Sequence, residues 1–162
     1  MSRVLEDAPP HLLAFLAEHR VRAEFVAPGV PMPTVSSAAA AVGVAEEQIL
    51  KTLLFVGDGE RYVIAIANGT KRVSRELLAA ASGILRPRPA KPEVVLRVTG
   101  YPTGGVAPLA LGAGLPVVID SAVLDQDVVF GGGGREHLLL RLDPTDIVRL
   151  NRATVAPIVE QS

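Results

Sequence analysis

Leu50-Lys51-Thr52-Leu53-Leu54-Phe55-Val56-Gly57-Asp58-Gly59-Glu60-Arg61-Tyr62-Val63-Ile64-Ala65-Ile66-Ala67 is the stretch that decides the fold. Two apolar runs that lean toward β-structure, Leu50 to Val56 and Tyr62 to Ala67, are joined through Gly57-Asp58-Gly59. Turn-forming residues between two such runs are a hairpin signature. Lys51 stands at the mouth of the first run, which reads as a buried strand. A lysine there either snorkels to solvent along its aliphatic stem or points into a cleft as a cation.

Outward from the hairpin, helices and strands interleave. Toward the N-terminus, Leu12, Leu13 and Leu16 give Pro9 to His19 one apolar face at helical spacing. Ala23 to Val26 is short and extended, and Pro28 to Pro33 is an irregular loop. Thr34 to Val42 reads as a helix with Thr34 or Ser36 as cap and Gly43 as stop. Toward the C-terminus, Ser74 precedes a short helix carrying Leu77, Leu78 and Ala81 and ended by Gly83. Pro92 and Gly100 bracket another helix. Strand-like segments follow at Pro116 to Asp120, Val128 to Phe130 and Leu138 to Leu142. Asp143-Pro144-Thr145-Asp146 then opens a last helix, with Asp143 as cap and Asp146 near its positive end. Hairpins beside interleaved helices predict an α/β fold built on a mixed sheet. The length, with no repeat or long linker, predicts one domain over residues 1–162.

Composition narrows the chemistry. Cysteine is absent, which removes disulfides, thiolate catalysis and cysteine metal sites. The formal net charge of −1 argues against a broad basic surface for nucleic acid, DNA included, so any RNA must be met through a few local contacts. Apolar residues make up 49% of the chain, yet no run approaches the ~20 residues of a membrane span. The N-terminal Met1 to Asp7 is acidic too early for a secretory signal, so a soluble cytoplasmic protein without membrane contacts is expected.

Familiar catalytic patterns are missing. His11 and His19 lie about 12 Å apart along one helix at 1.5 Å per residue, too far to share a metal. No Gly-x-Ser-x-Gly elbow occurs, and Ser74 serves better as a helix cap. Asp125 and Asp127 are neighbouring loop acids of the kind that are usually just solvated. The Gly131 to Gly134 run is followed by Arg135-Glu136-His137 and a strand, unlike a phosphate loop opening a helix. Gly104-Gly105 and Gly112-Ala113-Gly114 complete no dinucleotide fingerprint. No metal and no cofactor are expected. The glycines either merely turn the chain or let the backbone approach a ligand with its N–H groups exposed.

Taken in order, several segments resemble the YbaK/ProX family of aminoacyl-tRNA editing domains. They are Lys51-Thr52-Leu53-Leu54-Phe55, Ala67 to Ser74, Thr99 to Pro108, Val129 to Gly134, and Leu140 to Ile147. The family includes free-standing deacylases and the editing domain inserted in bacterial prolyl-tRNA synthetases. The resemblance implies a mixed, partly barrel-like sheet with surrounding helices, and hydrolysis of mischarged tRNA without a covalent protein nucleophile. It implies that Lys51 is the essential lysine at the tRNA acceptor end and that Thr52 beside it meets substrate. Gly104, Gly105, Val106, Ala107 and Pro108 would wall the aminoacyl group, and Gly132, Gly133 and Gly134 would line the same pocket. His137 lies close to where some branches place a substrate-contacting histidine. The implied partners are the mischarged acceptor end and an aminoacyl-tRNA synthetase.

Two departures bear on the substrate. Ala107 stands where the cysteinyl-tRNA-editing branch commonly has serine, and Leu138-Leu139-Leu140 lacks that branch's nearby acid. A non-catalytic binding module and a small-molecule esterase are the competing expectations.

Overall fold

The computed structural model describes residues 2–161. Strands β1 (Glu24–Val26), β2 (Leu50–Gly57), β3 (Arg61–Asn68), β4 (Arg88–Pro89), β5 (Val117–Asp120), β6 (Val129–Gly132), β7 (Leu139–Leu142) and β8 (Thr154–Ala156) form two sheets. The larger has the order β4-β2-β3-β5-β8 and the smaller the order β1-β7-β6. In the larger sheet β2 pairs antiparallel with β3 and β4, whereas β3–β5 and β5–β8 are parallel. The sheet is therefore mixed, as expected. The two sheets touch through one bridge, Ile49 to Phe130, and stay open, so the barrel-like character goes no further than that junction.

The hairpin at the centre is built as its residues dictate. Leu50 faces Asn68, Thr52 faces Ile66 and Leu54 faces Ile64, and Gly59 takes φ +74° in the one-turn connection. Alternation along β2 puts Leu50 and Leu54 into the main core with Ile64 and Ile66, while Phe55 packs with Val63, Ala65 and Ala67 in a second cluster. A third cluster joins Ala38 and Ala39 to Ile49, Phe130 and Leu139 at the junction of the sheets.

The helices are α1 (Ser2–Asp7), α2 (Pro10–Glu18), α3 (Val35–Val42), α4 (Arg75–Ser82), α5 (Pro92–Thr99) and α6 (Pro144–Asn151). Helices α3, α4 and α6 start on side-chain caps. Thr34, not Ser36, caps α3: its Oγ1 accepts from the Ser37 N–H at 3.0 Å, and Ser37 Oγ accepts from the Thr34 N–H at 3.0 Å. Ser74 accepts from the Leu77 N–H to start α4, and Asp143 accepts from the Thr145 N–H to start α6. Gly43, Gly83 and Gly100 end α3, α4 and α5 in the left-handed conformation. Helix α1 and the short strands β4 and β8 carried no pattern strong enough to expect. No helix among the described residues is long and apolar enough to cross a membrane.

Candidate functional site

Lys51 lies where β2 leaves the cover of its neighbour. Strand β4 reaches only Phe55 and Val56, and the Ala90 N–H donates to the Leu54 carbonyl. At the other end Ile49 bridges to Phe130. Between them the edge of β2 opens onto a cleft of about 310 Å³. The Gly69 N–H donates to the Ile49 carbonyl, so residues 49, 51 and 53 bond toward β3. The same alternation turns the main-chain N–H and C=O of Thr52 outward, into the cleft.

The cleft has chemically distinct walls. Met32, Val35, Ala38, Ile49 and Leu139 make an apolar side where α3 meets β7. Gly104, Val106 and Gly132 form the side facing β2, and Glu136 stands at the rim. Burial, with a smaller push from the Arg72 guanidinium, holds the Lys51 ammonium below the usual lysine range. Lys51 forms no ion pair among the described residues. The Thr52 hydroxyl is buried without a hydrogen-bond partner among them. A buried hydroxyl in that state costs free energy.

The expected site residues divide into three sets. Lys51, Thr52, Gly104, Val106 and Gly132 line the cleft together. Gly105, Ala107, Pro108, Gly133 and Gly134 stand behind it as the packing of two loops. The Gly105 N–H donates to the Pro102 carbonyl, the Gly134 N–H to the Gly105 carbonyl, and the Gly133 N–H to the Leu138 carbonyl. Those three donors are engaged within the protein. Ala107 is fully buried in the core, and Pro108 covers Gly131, where a Cβ would come within 2.9 Å of the proline ring. A Cβ on Gly132 would collide with the Val106 carbonyl oxygen, so close approach of β6 to the 104–108 loop requires glycine there.

His137 forms the third set. It borders an adjoining hollow of about 460 Å³ and sits 3.2 Å from Asp7 Oδ2 through its Nε2. Both hollows share Met32, Pro33, Gly104 and Glu136, so His137 belongs to the extension of the cleft rather than to the part around Lys51.

Sequence reasoning missed the apolar wall and Glu136. The wall residues were visible only as scattered apolar positions of a loop, a helix and strand-like segments, and Glu136 only as a loop charge. Among the described residues no cluster of three or more metal-ligating side chains occurs.

Residues 30–150 match the family model described as an aminoacyl-tRNA editing domain. The chain is 37% identical over 87 residues to a proline–tRNA ligase of Geobacter sp. (strain M21), covering 54% of this chain and 15% of the ligase. It is 25% identical over 125 residues to a candidate Cys-tRNA(Pro)/Cys-tRNA(Cys) deacylase of Enterococcus faecalis (strain ATCC 700802 / V583), covering 77% of this chain and 76% of that protein. The crystal structure of a candidate trans-editing enzyme for prolyl-tRNA synthetase superposes with a TM-score of 0.79 at 28% identity, over 93% of this chain and 96% of that one. The chain thus spans a small part of the ligase and most of the free-standing relatives.

Proposed function

The chain belongs to the aminoacyl-tRNA editing domain family, and we propose that it acts in trans as a hydrolase that deacylates mischarged tRNA. Residues 1–162 work as one editing unit on the acceptor end, in the cytoplasm where charged tRNA is used, with or without a synthetase beside it. The observation that carries this reading is the open edge of β2. There the half-buried Lys51 and the outward-facing main chain of Thr52 border a cleft with an apolar wall.

The reaction is hydrolysis of the ester between an amino acid and a ribose hydroxyl. Water adds to the acyl carbon, the bond to the ribose oxygen breaks, and the proton lost by water ends on that oxygen. An aminoacyl ester is labile, so positioning and stabilisation of the developing oxyanion suffice, and no protein nucleophile or cofactor is needed. Lys51 supplies fixed positive charge to the acceptor end, and Thr52 holds the ester through its main-chain N–H. Gly104, Val106 and Gly132 let the substrate lie close to the backbone. Gly105, Ala107, Pro108, Gly133 and Gly134 keep the two loops in register, and His137 borders the space for the terminal nucleoside. The apolar wall takes the amino-acid side chain. Such a pocket separates side chains differing by one methylene by only ~10–200-fold, so size sets a preference among small residues.

The deciding experiment measures hydrolysis of tRNA(Pro) charged in turn with glycine, alanine, serine, cysteine and proline, beside the free amino-acid ethyl esters. Deacylation of one or more charged tRNAs with little action on the free esters is the expected result. Comparable rates on free esters would make the protein a small-molecule esterase. Binding of charged tRNA without turnover would make it a recognition module.

A further inference from the structure

We infer that Glu136 is the receptor for the substrate's α-ammonium group, an assignment that rests on the deacylase reading and deepens it. Glu136 borders both the cleft around Lys51 and the hollow beside His137. Its carboxylate lies over Gly104: a Cβ built on that glycine would sit 3.5 Å from Glu136 Oε1. Gly104 takes φ +88°, so glycine both permits the turn and leaves the face of the carboxylate uncovered. Glu136 is exposed and, like Glu46 and Glu76, makes no ion pair and no side-chain hydrogen bond among the described residues, so its carboxylate is free to take a cation at the cleft.

The chemistry of the substrate supplies the missing partner. An aminoacyl ester carries a cationic ammonium on the carbon next to the scissile carbonyl. Placed against Met32, Val35 and Ala38, that cation would lose hydration without compensation. Placed beside Lys51, it would meet a like charge. Glu136 is the anion that lines this cleft, across from the open edge of β2. Seating the ammonium there sends the side chain to the apolar wall and the carbonyl toward Thr52, which orients the ester for attack. A carboxylate–ammonium contact of this kind also selects α-amino acyl groups over uncharged acyl groups.

The test compares one tRNA carrying the fastest-cleaved amino acid with the same tRNA carrying the matching α-hydroxy acid, in which a hydroxyl replaces the ammonium at nearly equal size. Values of kcat/KM are measured for the wild type, Glu136→Gln and Glu136→Asp, with melting curves for each. Taking each variant's rate relative to wild type on the same ester cancels the different intrinsic lability of the two esters. Glu136→Gln is expected to reduce the preference for the aminoacyl ester by about tenfold, the scale of a hydrogen bond to a charged group. Glu136→Asp, keeping the charge, is expected to restore part of that preference. If Glu136→Gln slows both esters equally, or neither, the assignment is overturned while the deacylase reading stands. If the wild type hydrolyses no acylated tRNA, both fall together.

Discussion

The hydroxyl of Tyr101 donates a 2.8 Å hydrogen bond to the main-chain carbonyl of Leu109 inside the core. That bond closes the base of the loop carrying Gly104 to Pro108. A second tie comes from Asn151 on α6, whose Nδ2 donates to the Pro108 carbonyl at 2.8 Å. The cleft wall facing β2 is therefore held from behind by two side chains that never meet the cleft.

Tyr101→Phe keeps the ring and removes the donor. Leaving the Leu109 carbonyl unsatisfied should cost about 1–3 kcal/mol, read as a lower melting temperature. Deacylation should fall as well, because the loop loses an anchor. Burial raises the Tyr101 hydroxyl above the ordinary phenol range, so it stays protonated while an unfolded tyrosine ionises. Its share of stability should accordingly be constant to mildly alkaline pH and decline above the ordinary tyrosine value. A variant that melts with the wild type would mean the carbonyl has found another donor.

Lys51→Ala should abolish deacylation without loss of stability. The folded protein binds the Lys51 proton less tightly than the unfolded chain does, because burial and Arg72 oppose the charge. Protonated Lys51 thus opposes folding at neutral pH, and that opposition fades as pH rises from its folded pKa toward the ordinary lysine value. Melting of the alanine variant at neutral pH should match or exceed wild type. Replacing Arg72 by Gln should raise the Lys51 pKa, followed by NMR of the lysine ε-methylene. Near wild-type turnover in Lys51→Ala would remove this residue from the mechanism.

Gly132→Ala should damage the protein more than its one added carbon suggests. The new Cβ would overlap the Val106 carbonyl oxygen, a backbone atom that cannot swing aside, and overpacking of that kind costs about 1–3 kcal/mol. Gly105→Val should also lose activity, through the other face of the loop, since its Cβ would come within 3.0 Å of the Arg135 backbone and displace the turn bearing Glu136. The two effects separate in the kinetics. Gly132→Ala should raise KM and lower kcat with a lower melting temperature, whereas Gly105→Val acts mainly through the position of Glu136. Full activity in both would show that the two loops need not stay in contact.

Binding of charged tRNA should be weak and salt-sensitive, and centred on the acceptor end. With a net charge of −1 and 4% aromatic residues, the protein has few means of holding a long RNA. Lys51, helped by Lys71 or Arg72, would supply the contacts, and each phosphate contact removed should flatten the salt dependence by a slope of about 0.7. An acceptor-stem minihelix should be deacylated nearly as fast as whole tRNA. An inert minihelix beside a cleaved full tRNA would place recognition elsewhere, on the anticodon or a synthetase.

Local patterns in the chain determined the hairpin, most helix boundaries and the mixed character of the sheet. Short-range causes govern these features: Gly59 and Gly43 accept positive φ, Thr34, Ser74 and Asp143 satisfy the first N–H groups of their helices, and alternation in β2 sorts its side chains. Lys51 was also conspicuous, since a lysine interrupting an apolar strand stands out in any register, whereas Thr52 came only with the family resemblance. Strands β4 and β8 were not, because segments of two and three residues carry too little periodicity and exist through their partners. Tertiary structure alone decided which glycines face the cleft and which pack behind it. Gly104 and Gly105 are adjacent in sequence, yet one opens a space beside Glu136 and the other presses on Arg135. It also decided that Met32, Ala38, Ile49 and Leu139, from four separate segments, form one apolar wall. Dihedral preferences and hydrogen-bond caps act over a few residues and can be read in order along the chain. A cleft is set by the spacing between segments far apart in sequence, and that spacing exists only once the core has packed.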